Sequence, residues 1–442
     1  MAFTTKKIVI IVACVVVVTA IALGTTLPLT VFKKKDEPWK GSDVLDEVPL
    51  IDTHNDLPYN LYNIENNILK NFNFDSDLKL NPRWQIDTSF TDLPRLRQGK
   101  LGGQFWVAYV SCSRNYKDAV ERTIEQIDVI KRLVRKYPND LMFVTEADQI
   151  MKAKEQGKIA SLIEIEGGHS IDSRMSSLRL FYELGVRCMT ITHNCNLPWA
   201  DNNLVDGNEN SPKRNLTEWG KKVILEMNRL GMIVDISHVS EGVMVDVLET
   251  SKAPVIFSHS SVYKLRNHTR NVKDHVLLKL KENNGVIMIN FYSSFIKAES
   301  PATIYDVIKH INYVRDLIGP EHVGIGSDYD GVEEVPEGLE DVSKYPALFD
   351  LLAEEGNDWE PWSAEDLKKL AGLNLLRAFK AVEAVRDSMK TATIIDEPVP
   401  YEDVISANAN AADCRTDINK YKPTEQLKRE ARAVELQGPE EF

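Results

Sequence analysis

The chain has 442 residues, 43% of them hydrophobic and 27% charged, which is enough to bury a large core. The formal charge is -13; residues 1–40 carry six lysines against Asp36 and Glu37, so the remainder stands at -17 and nucleic-acid binding is excluded as a main role.

Ile8 to Phe32 is apolar apart from a few Thr, one Gly and one Pro, with Lys6 and Lys7 before it and Lys33, Lys34 and Lys35 after it. Such a stretch can span a bilayer, and it runs past Ala20 and Ala22 to Leu29 rather than stopping at a small-residue cleavage site. We read 1–7 as a short cytosolic N-terminus, 8–32 as an uncleaved transmembrane signal-anchor and 33–47 as a juxtamembrane linker; secretion after cleavage is the alternative. Lysines on both flanks leave the orientation to the rest of the chain. Asn215-Leu-Thr and Asn267-His-Thr are glycosylation sequons that fit an extracellular or lumenal body. Cys14 lies in the anchor, and Cys112, Cys188, Cys195 and Cys414 outside it allow three pairings in an oxidising compartment.

From residue 48 onward, short β-branched or apolar runs ending in a polar residue alternate with stretches of helical periodicity. The predicted strands are 48–52, 104–110, 159–165, 187–192, 232–237, 254–258, 286–291 and 322–327. Predicted helices cover 117–136, 176–184, 217–230, 272–283, 304–317 and 364–385. Eight strands with interleaved helices predict a (β/α)8 TIM-like barrel over 48–385, with a doubly wound open sheet as the alternative. Tyr59 to Lys100, rich in Asn and Asp, follows the first strand and is expected to cover the barrel mouth. Residues 386–442 form a polar C-terminal extension without an apolar end, so no glycolipid-anchor signal is expected there.

Five of the nine histidines fall at predicted strand ends or turns: His54, His169, His193, His238 and His259. Barrel active sites occupy that face. His54 and Asp56 form an H-x-D pair whose side chains share one side of an extended segment. Glu166 ends an apolar strand before two glycines, and a carboxylate there is costly unless paired or bound to a cation; Glu164 faces the same way and competes with it. Val-Asp-Ile-Ser-His238 and Val-Ile-Phe-Ser-His259 repeat one design on successive strands. Imidazole mixed with carboxylate suits zinc, with manganese or cobalt open on ligand type alone. One shared carboxylate and two ligand pairs suggest two metals about 3.5–4 Å apart, with a hydroxide between them as nucleophile. Asp328, in Gly-Ser-Asp-Tyr-Asp-Gly, is the candidate proton shuttle, whereas Asp330 reads as an Asp-Gly turn. His193 could donate to a developing oxyanion, Arg270 could clamp a carboxylate, and His169 reads as a structural loop histidine.

With these motifs assembled, the stretch from about Pro49 to Cys414 resembles the membrane (renal) dipeptidase family of the metal-dependent amidohydrolase superfamily. The resemblance rests on Ile-Asp-Thr-His-Asn-Asp-Leu-Pro (51–58), Gly-Gly-Gln-Phe-Trp (102–106), Ile-Glu-Gly-Gly-His-Ser-Ile-Asp (165–172) and Asn-Leu-Pro-Trp-Ala-Asp (196–201), with Ala-Pro-Val-Ile-Phe-Ser-His-Ser-Ser (253–261) and 336–346 completing it. It implies that His54 and Asp56 bind one zinc, His238 and His259 the other, and that Glu166 bridges both, leaving Glu164 as an interior residue. It further implies that His193 and Arg270 contact a dipeptide substrate and that Asp328 moves protons. Broad tolerance, including cysteinyl-glycine and leukotriene-type conjugates, would follow.

The same resemblance pairs Cys112 with Cys195, uses Cys414 to link a homodimer and leaves Cys188 free; strand alternation places Cys188 opposite His193, toward the helix layer. Two departures stand out. The family's further disulfide after the sixth predicted strand has no cysteine here, with Arg266 near the place, which predicts a looser loop. The apolar segment is N-terminal, which predicts a single-pass type II protein with the enzyme outside. Hydrolysis of a lactam, N-acyl amino acid or lactone is the competing activity, and a surface binding or adhesion protein on an inactive barrel is the reading from another class.

Overall fold

The computed structural model describes residues 39–299, 301–356, 359–400 and 402–404. The chain divides into two units, Met1–Trp39 and Lys40–Phe442, and the second carries the barrel. The expected cytosolic N-terminus and signal-anchor, the linker as far as residue 38, and Cys414 lie outside the described residues. Among the described residues, no helix is long and apolar enough to cross a membrane.

Nine parallel strands form one sheet: β1 (Leu50–Asn55), β2 (Leu101–Tyr109), β3 (Leu141–Phe143), β4 (Ile159–Glu166), β5 (Val186–Thr190), β6 (Ile233–Asp235), β7 (Ile256–Ser260), β8 (Val286–Ile289) and β9 (Val323–Ile325). Their order is β2-β1-β9-β8-β7-β6-β5-β4-β3, and β2 also pairs with β4 from Gly103↔Ala160 to Tyr109↔Glu166, which closes an eight-stranded barrel. The open doubly wound alternative is therefore wrong. β3 was not predicted: its three residues pair with Ile159–Ser161 on the edge of β4 that β5 takes over from Ile163 onward.

The strands are buried nearly throughout, as parallel strands covered by helices must be. Gly326, just past β9, lies so close to β7 that a Cβ there would sit 1.8 Å from the Ser258 carbonyl oxygen. A glycine at that point lets the two strand ends converge on the mouth. Helices cover the outside, including Ala119–Lys136, Glu218–Leu230 and Ile304–Ile318 close to their predicted limits. Ala147–Glu155 and Glu241–Thr250 were not foreseen, because such short helices show only three and four buried positions.

Three stretches depart from their expected character. Gly41–Glu47, read as linker, already packs on the barrel body, with Val44 and Leu45 buried and the Ser42 amide donating to Asp350 Oδ1 at 2.8 Å. The segment after β1 contains helices Leu57–Glu65 and Leu93–Gln98. Between them the chain is held by buried aromatics instead of periodic structure: Phe72 packs on Trp84 at 5.0 Å, and Trp84 Nε1 donates to Glu65. Beyond the helix Asn374–Ser388, the tail still docks on the body: Trp219 Nε1 donates to the Glu397 carbonyl, and Val399 and Val404 are buried.

Candidate active site

His54 and Asp56 at the end of β1, Glu166 at the end of β4, His238 three residues past β6 and His259 near the end of β7 meet at one point at the C-terminal end of the barrel. His54 Nε2 stands 3.4 Å from Asp56 Oδ2 and 3.6 Å from Glu166 Oε1, while His238 Nε2 and His259 Nε2 lie 3.1 and 3.6 Å from that same Glu166 oxygen. All five predicted ligands thus converge, with Glu166 at the centre. Together with Asp328 they form three overlapping buried triads: His54–Asp56–Glu166, Glu166–His238–His259 and His54–His259–Asp328.

Each imidazole is turned by a partner on its far nitrogen. His54 Nδ1 meets Glu164 Oε2 at 3.3 Å, His238 Nδ1 meets Asn194 Oδ1 at 3.1 Å, and His259 Nδ1 meets Ser258 Oγ at 2.8 Å. Ser258 spends its one hydroxyl hydrogen on Asp235 Oδ2, so toward His259 it can only accept. The three Nδ1 atoms therefore carry the protons and the three Nε2 lone pairs point into the site, the arrangement of metal-ligating histidines.

The donor set fits a cation. His54 Nε2 and Asp56 Oδ1 are buried and have no hydrogen-bond partner. His238 and His259 aim their Nε2 atoms at each other across 2.9 Å with no hydrogen to share, which is repulsive unless a positive charge lies between the donors. Burial works against a proton on His54, yet Glu166 and Asp56 hold its pKa well above the usual range, so the local field favours positive charge. Burial, with Arg270 adding to it, holds His238 and His259 well below theirs. Burial raises Glu166 well above the ordinary carboxyl range, with His54 opposing and Asp56 and Asp328 reinforcing, and lifts Asp328 to about 7. Nitrogen and carboxylate donors in this mixture suit zinc.

The cavity over these ligands has a volume near 630 Å³, and its walls include Tyr59, Ile86, Tyr109, His193, Arg270 and Asp328. Arg270 is 3% exposed; its terminal nitrogens approach Ser260 Oγ at 3.4 Å and the His259 carbonyl at 3.2 Å, its Nε has no partner, and among the described residues no carboxylate pairs with it. Burial lowers its pKa, with Asp328 and Glu166 pulling the other way. His193 packs against Tyr109 and His238, and burial, with His169 and Arg270 nearby, takes its pKa down to about 3, so it is a neutral hydrogen-bond donor. His238 and Asp328 adopt left-handed backbone at φ 64° and 67°. That conformation costs a non-glycine residue about 1–2 kcal/mol, and such costs gather at functional sites.

Cys112 and Cys195 are bonded, and their bridge sits beside the site, with Cys112 Sγ 3.9 Å from His193 Nδ1. His169 lies outside the cavity and binds the Val110 carbonyl, as expected of a loop histidine. Asp330 does more than make a turn, because it accepts from Thr91 and Asn60 and so pins the segment after β1 to the loop after β9. Two expectations are corrected. Cys188 faces the barrel interior, donating to Glu164 Oε1 at 3.4 Å: β5 ends at Thr190, so alternation does not carry through to His193. The loop after β7 is tied without a disulfide, since Arg266 Nε donates to the Ser294 carbonyl and Asn271 Nδ2 to the carbonyls of Arg266 and Phe295.

Asn194 was not foreseen from the sequence, although it directly follows His193; nor was Ser258, whose place before His259 mirrors Ser237 before His238. That repeat was the available signal. Of the sequons, Asn267 is exposed and Asn215 is half-buried against Gly242.

A family model described as membrane dipeptidase, peptidase family M19, matches residues 40–393. The chain belongs to the membrane dipeptidase family. Among its relatives is an uncharacterized dipeptidase of Schizosaccharomyces pombe, 44% identical over 359 residues, which cover 78% of this chain and 82% of that protein. The barrel is similar to two bacterial crystal structures. One is a metallopeptidase from Rhodobacter sphaeroides liganded with a phosphinate mimic of the dipeptide L-Ala-D-Ala (TM-score 0.66, 23% identity, 76% of this chain and 99% of that one). The other is an amidohydrolase from Pseudomonas aeruginosa (0.63, 21%, 78% and 99%). At these identities the likeness establishes the (β/α)8 fold. Family membership makes this membrane dipeptidase relative an enzyme of the dipeptidase type, with candidate metal ligands in place.

Proposed function

We propose that the chain hydrolyses the peptide bond of dipeptides with two zinc ions, one held by His54 and Asp56, the other by His238 and His259, and both by Glu166. When bound, the ions would polarise the scissile carbonyl and make a water acidic enough to attack near neutral pH. The observation that carries the substrate class is Arg270: a buried guanidinium with no carboxylate partner, lining the cavity that Glu166 and Asp328 also line, is built for a carboxylate brought by the ligand.

With the dipeptide's C-terminal carboxylate on Arg270, the peptide carbonyl falls near His193. Its neutral imidazole donates a hydrogen bond that strengthens as the carbonyl oxygen gains negative charge. Asp328 Oδ1, 3.9 Å from His54 Nε2, takes a proton from the attacking water and gives it to the departing amine nitrogen, so one water is consumed and an acid and an amine are released. A cavity near 630 Å³ that mixes Ile86 and Val332 with Asn63 and Thr88 supports broad tolerance, cysteinyl-glycine and leukotriene-type conjugates included.

The tests are direct. Chelation should abolish activity, and zinc should restore it. Arg270→Met should raise KM for a dipeptide about 30-fold, equivalent to about 2 kcal/mol, while leaving hydrolysis of the C-terminal amide of that dipeptide unchanged. Equal loss on both substrates would refute the carboxylate clamp and favour the lactam or ester reading.

For location we propose a single-pass type II protein with the enzyme outside. The apolar span 8–32, the Cys112–Cys195 bridge and the exposed Asn267 sequon support it. Glycosidase-sensitive mobility that Asn267→Gln removes is expected. A homodimer linked through Cys414 should halve in mass on reduction.

A further inference from the structure

Below the cavity, the two ends of the ligand set are joined by a continuous run of buried polar contacts. His54 Nδ1 meets Glu164 Oε2 at 3.3 Å, and the single hydroxyl hydrogen of Thr190 is shared between Glu164 Oε1 at 3.1 Å and Asp235 Oδ2 at 2.6 Å. Ser258 Oγ donates to the same Asp235 oxygen at 2.6 Å and accepts from His259 Nδ1 at 2.8 Å. All six residues are at most 1% exposed, so water does not compete for these bonds.

Position explains why the run passes through Thr190. The ligands come from β1, β4, β6 and β7, and β5, between β4 and β6, contributes none. Thr190, the last residue of β5, fills that gap with a hydroxyl that touches a carboxyl on either side. Asp235 is fixed in turn by the amides of Ser237 and Ser258, at 3.0 and 2.7 Å, so its carboxylate is anchored across β6 and β7. Neither Thr190 nor Asp235 lines the cavity, and neither belongs to a ligand triad.

We propose that Thr190 and Asp235 are positioning residues that couple His54 to His259, so that the two halves of the metal-ligating set are ordered as one unit. This rests on the metal reading given above. Partners behind a metal ligand set its orientation and basicity, and their loss costs about 10–100-fold in metal affinity. A shared run makes that loss common to both halves.

The experiment titrates metal-free protein with Zn²⁺ alone in competition with a chromophoric chelator. Thr190→Val removes the hydroxyl at nearly constant shape, and Thr190→Ser restores it. Zinc affinity of Thr190→Val should fall about tenfold or more, and Thr190→Ser should return to within about twofold of the parent. Combining Thr190→Val with Ser258→Ala should cost less than the product of the two single effects, because either break severs the same run. Unchanged affinity in a folded Thr190→Val protein, or strictly multiplicative losses, would overturn the coupling. Should Thr190→Val not fold, Asp235→Asn with Ser258→Ala makes the same comparison. A parent protein that takes up no zinc would instead overturn the metal reading itself, a result distinct from uptake that ignores Thr190.

Discussion

Asp52 and Asp235 lie just inside the barrel mouth, and each accepts four hydrogen bonds. Asp52 takes them from the Ser327 amide and hydroxyl, the His54 amide and the Tyr345 hydroxyl; Asp235 takes them from the Ser237 and Ser258 amides and the Ser258 and Thr190 hydroxyls. A step further along the same barrel, Asp56 has an unpartnered oxygen, and Glu166 Oε1 is faced at 3.1–3.6 Å by three imidazoles whose hydrogens are engaged on their far nitrogens. Residue type and burial are the same in both layers. What separates them is satisfaction: the inner layer is complete within the chain, while the outer layer leaves donors that a cation would complete, and it is there that the proposed chemistry is placed.

The sharpest way to break that contrast is to neutralise Glu166. Glu166→Gln should lower dipeptide turnover about 1,000-fold, a loss of about 4 kcal/mol of transition-state stabilisation. The denaturant midpoint of the metal-free protein should hold or rise, because a buried, crowded charge is removed. A metal-free variant that unfolds more readily than its parent would show that Glu166 belongs with the structural layer.

Asp52→Ala tests the other side. It strips two hydroxyls and two amides of their acceptor, and unfolding should show a loss of about 3 kcal/mol whether or not metal is present. If the loss vanished on chelation, Asp52 would be acting through the metal site.

Histidines divide in the same manner, and pH makes the division measurable. His310 is complete: the Val262 amide donates to its Nδ1 at 3.0 Å and its Nε2 donates to the Ile296 carbonyl at 2.9 Å. Burial takes its pKa down to about 4 from an ordinary 6.5. Between those values the unfolded chain binds a proton that the folded chain refuses. Its contribution is therefore whole above about pH 6.5 and is lost as pH falls to 4, by about 3 kcal/mol. In equilibrium unfolding, His310→Gln should flatten the fall in stability across that window relative to the parent; parallel curves would remove His310 as its source.

Much of the outer layer was legible in the sequence. His54, Asp56, Glu166, His238 and His259 stood out because apolar runs ending in polar residues mark strand ends, and barrel strand ends share one face. Of the layer behind them only Glu164 was foreseen, as an interior residue; Thr190, Asp235 and Ser258 acquire their roles from neighbours on other strands. Alternation also misled at Cys188, because it was carried past Thr190, where β5 stops. β3 escaped because three residues are too few to show a period.

The smallest effect is expected at Arg266, and it bears on how the outer layer is held. Arg270 owes its aim to the loop after β7, and that loop is tied to the short helix Ser293–Ile296 by Arg266 on the Ser294 carbonyl and Asn271 on the Phe295 carbonyl, with the Arg270 guanidinium 5.3 Å from the Phe295 ring. Arg266 is partly exposed, so its bond competes with water and contributes about 1 kcal/mol. Arg266→Ala should therefore raise KM for dipeptides about fivefold while kcat holds, because Asn271 still ties the loop and the ligand triads are untouched. A fall in kcat with KM unchanged would mean that the loop acts on the chemical step and not on the grip of Arg270.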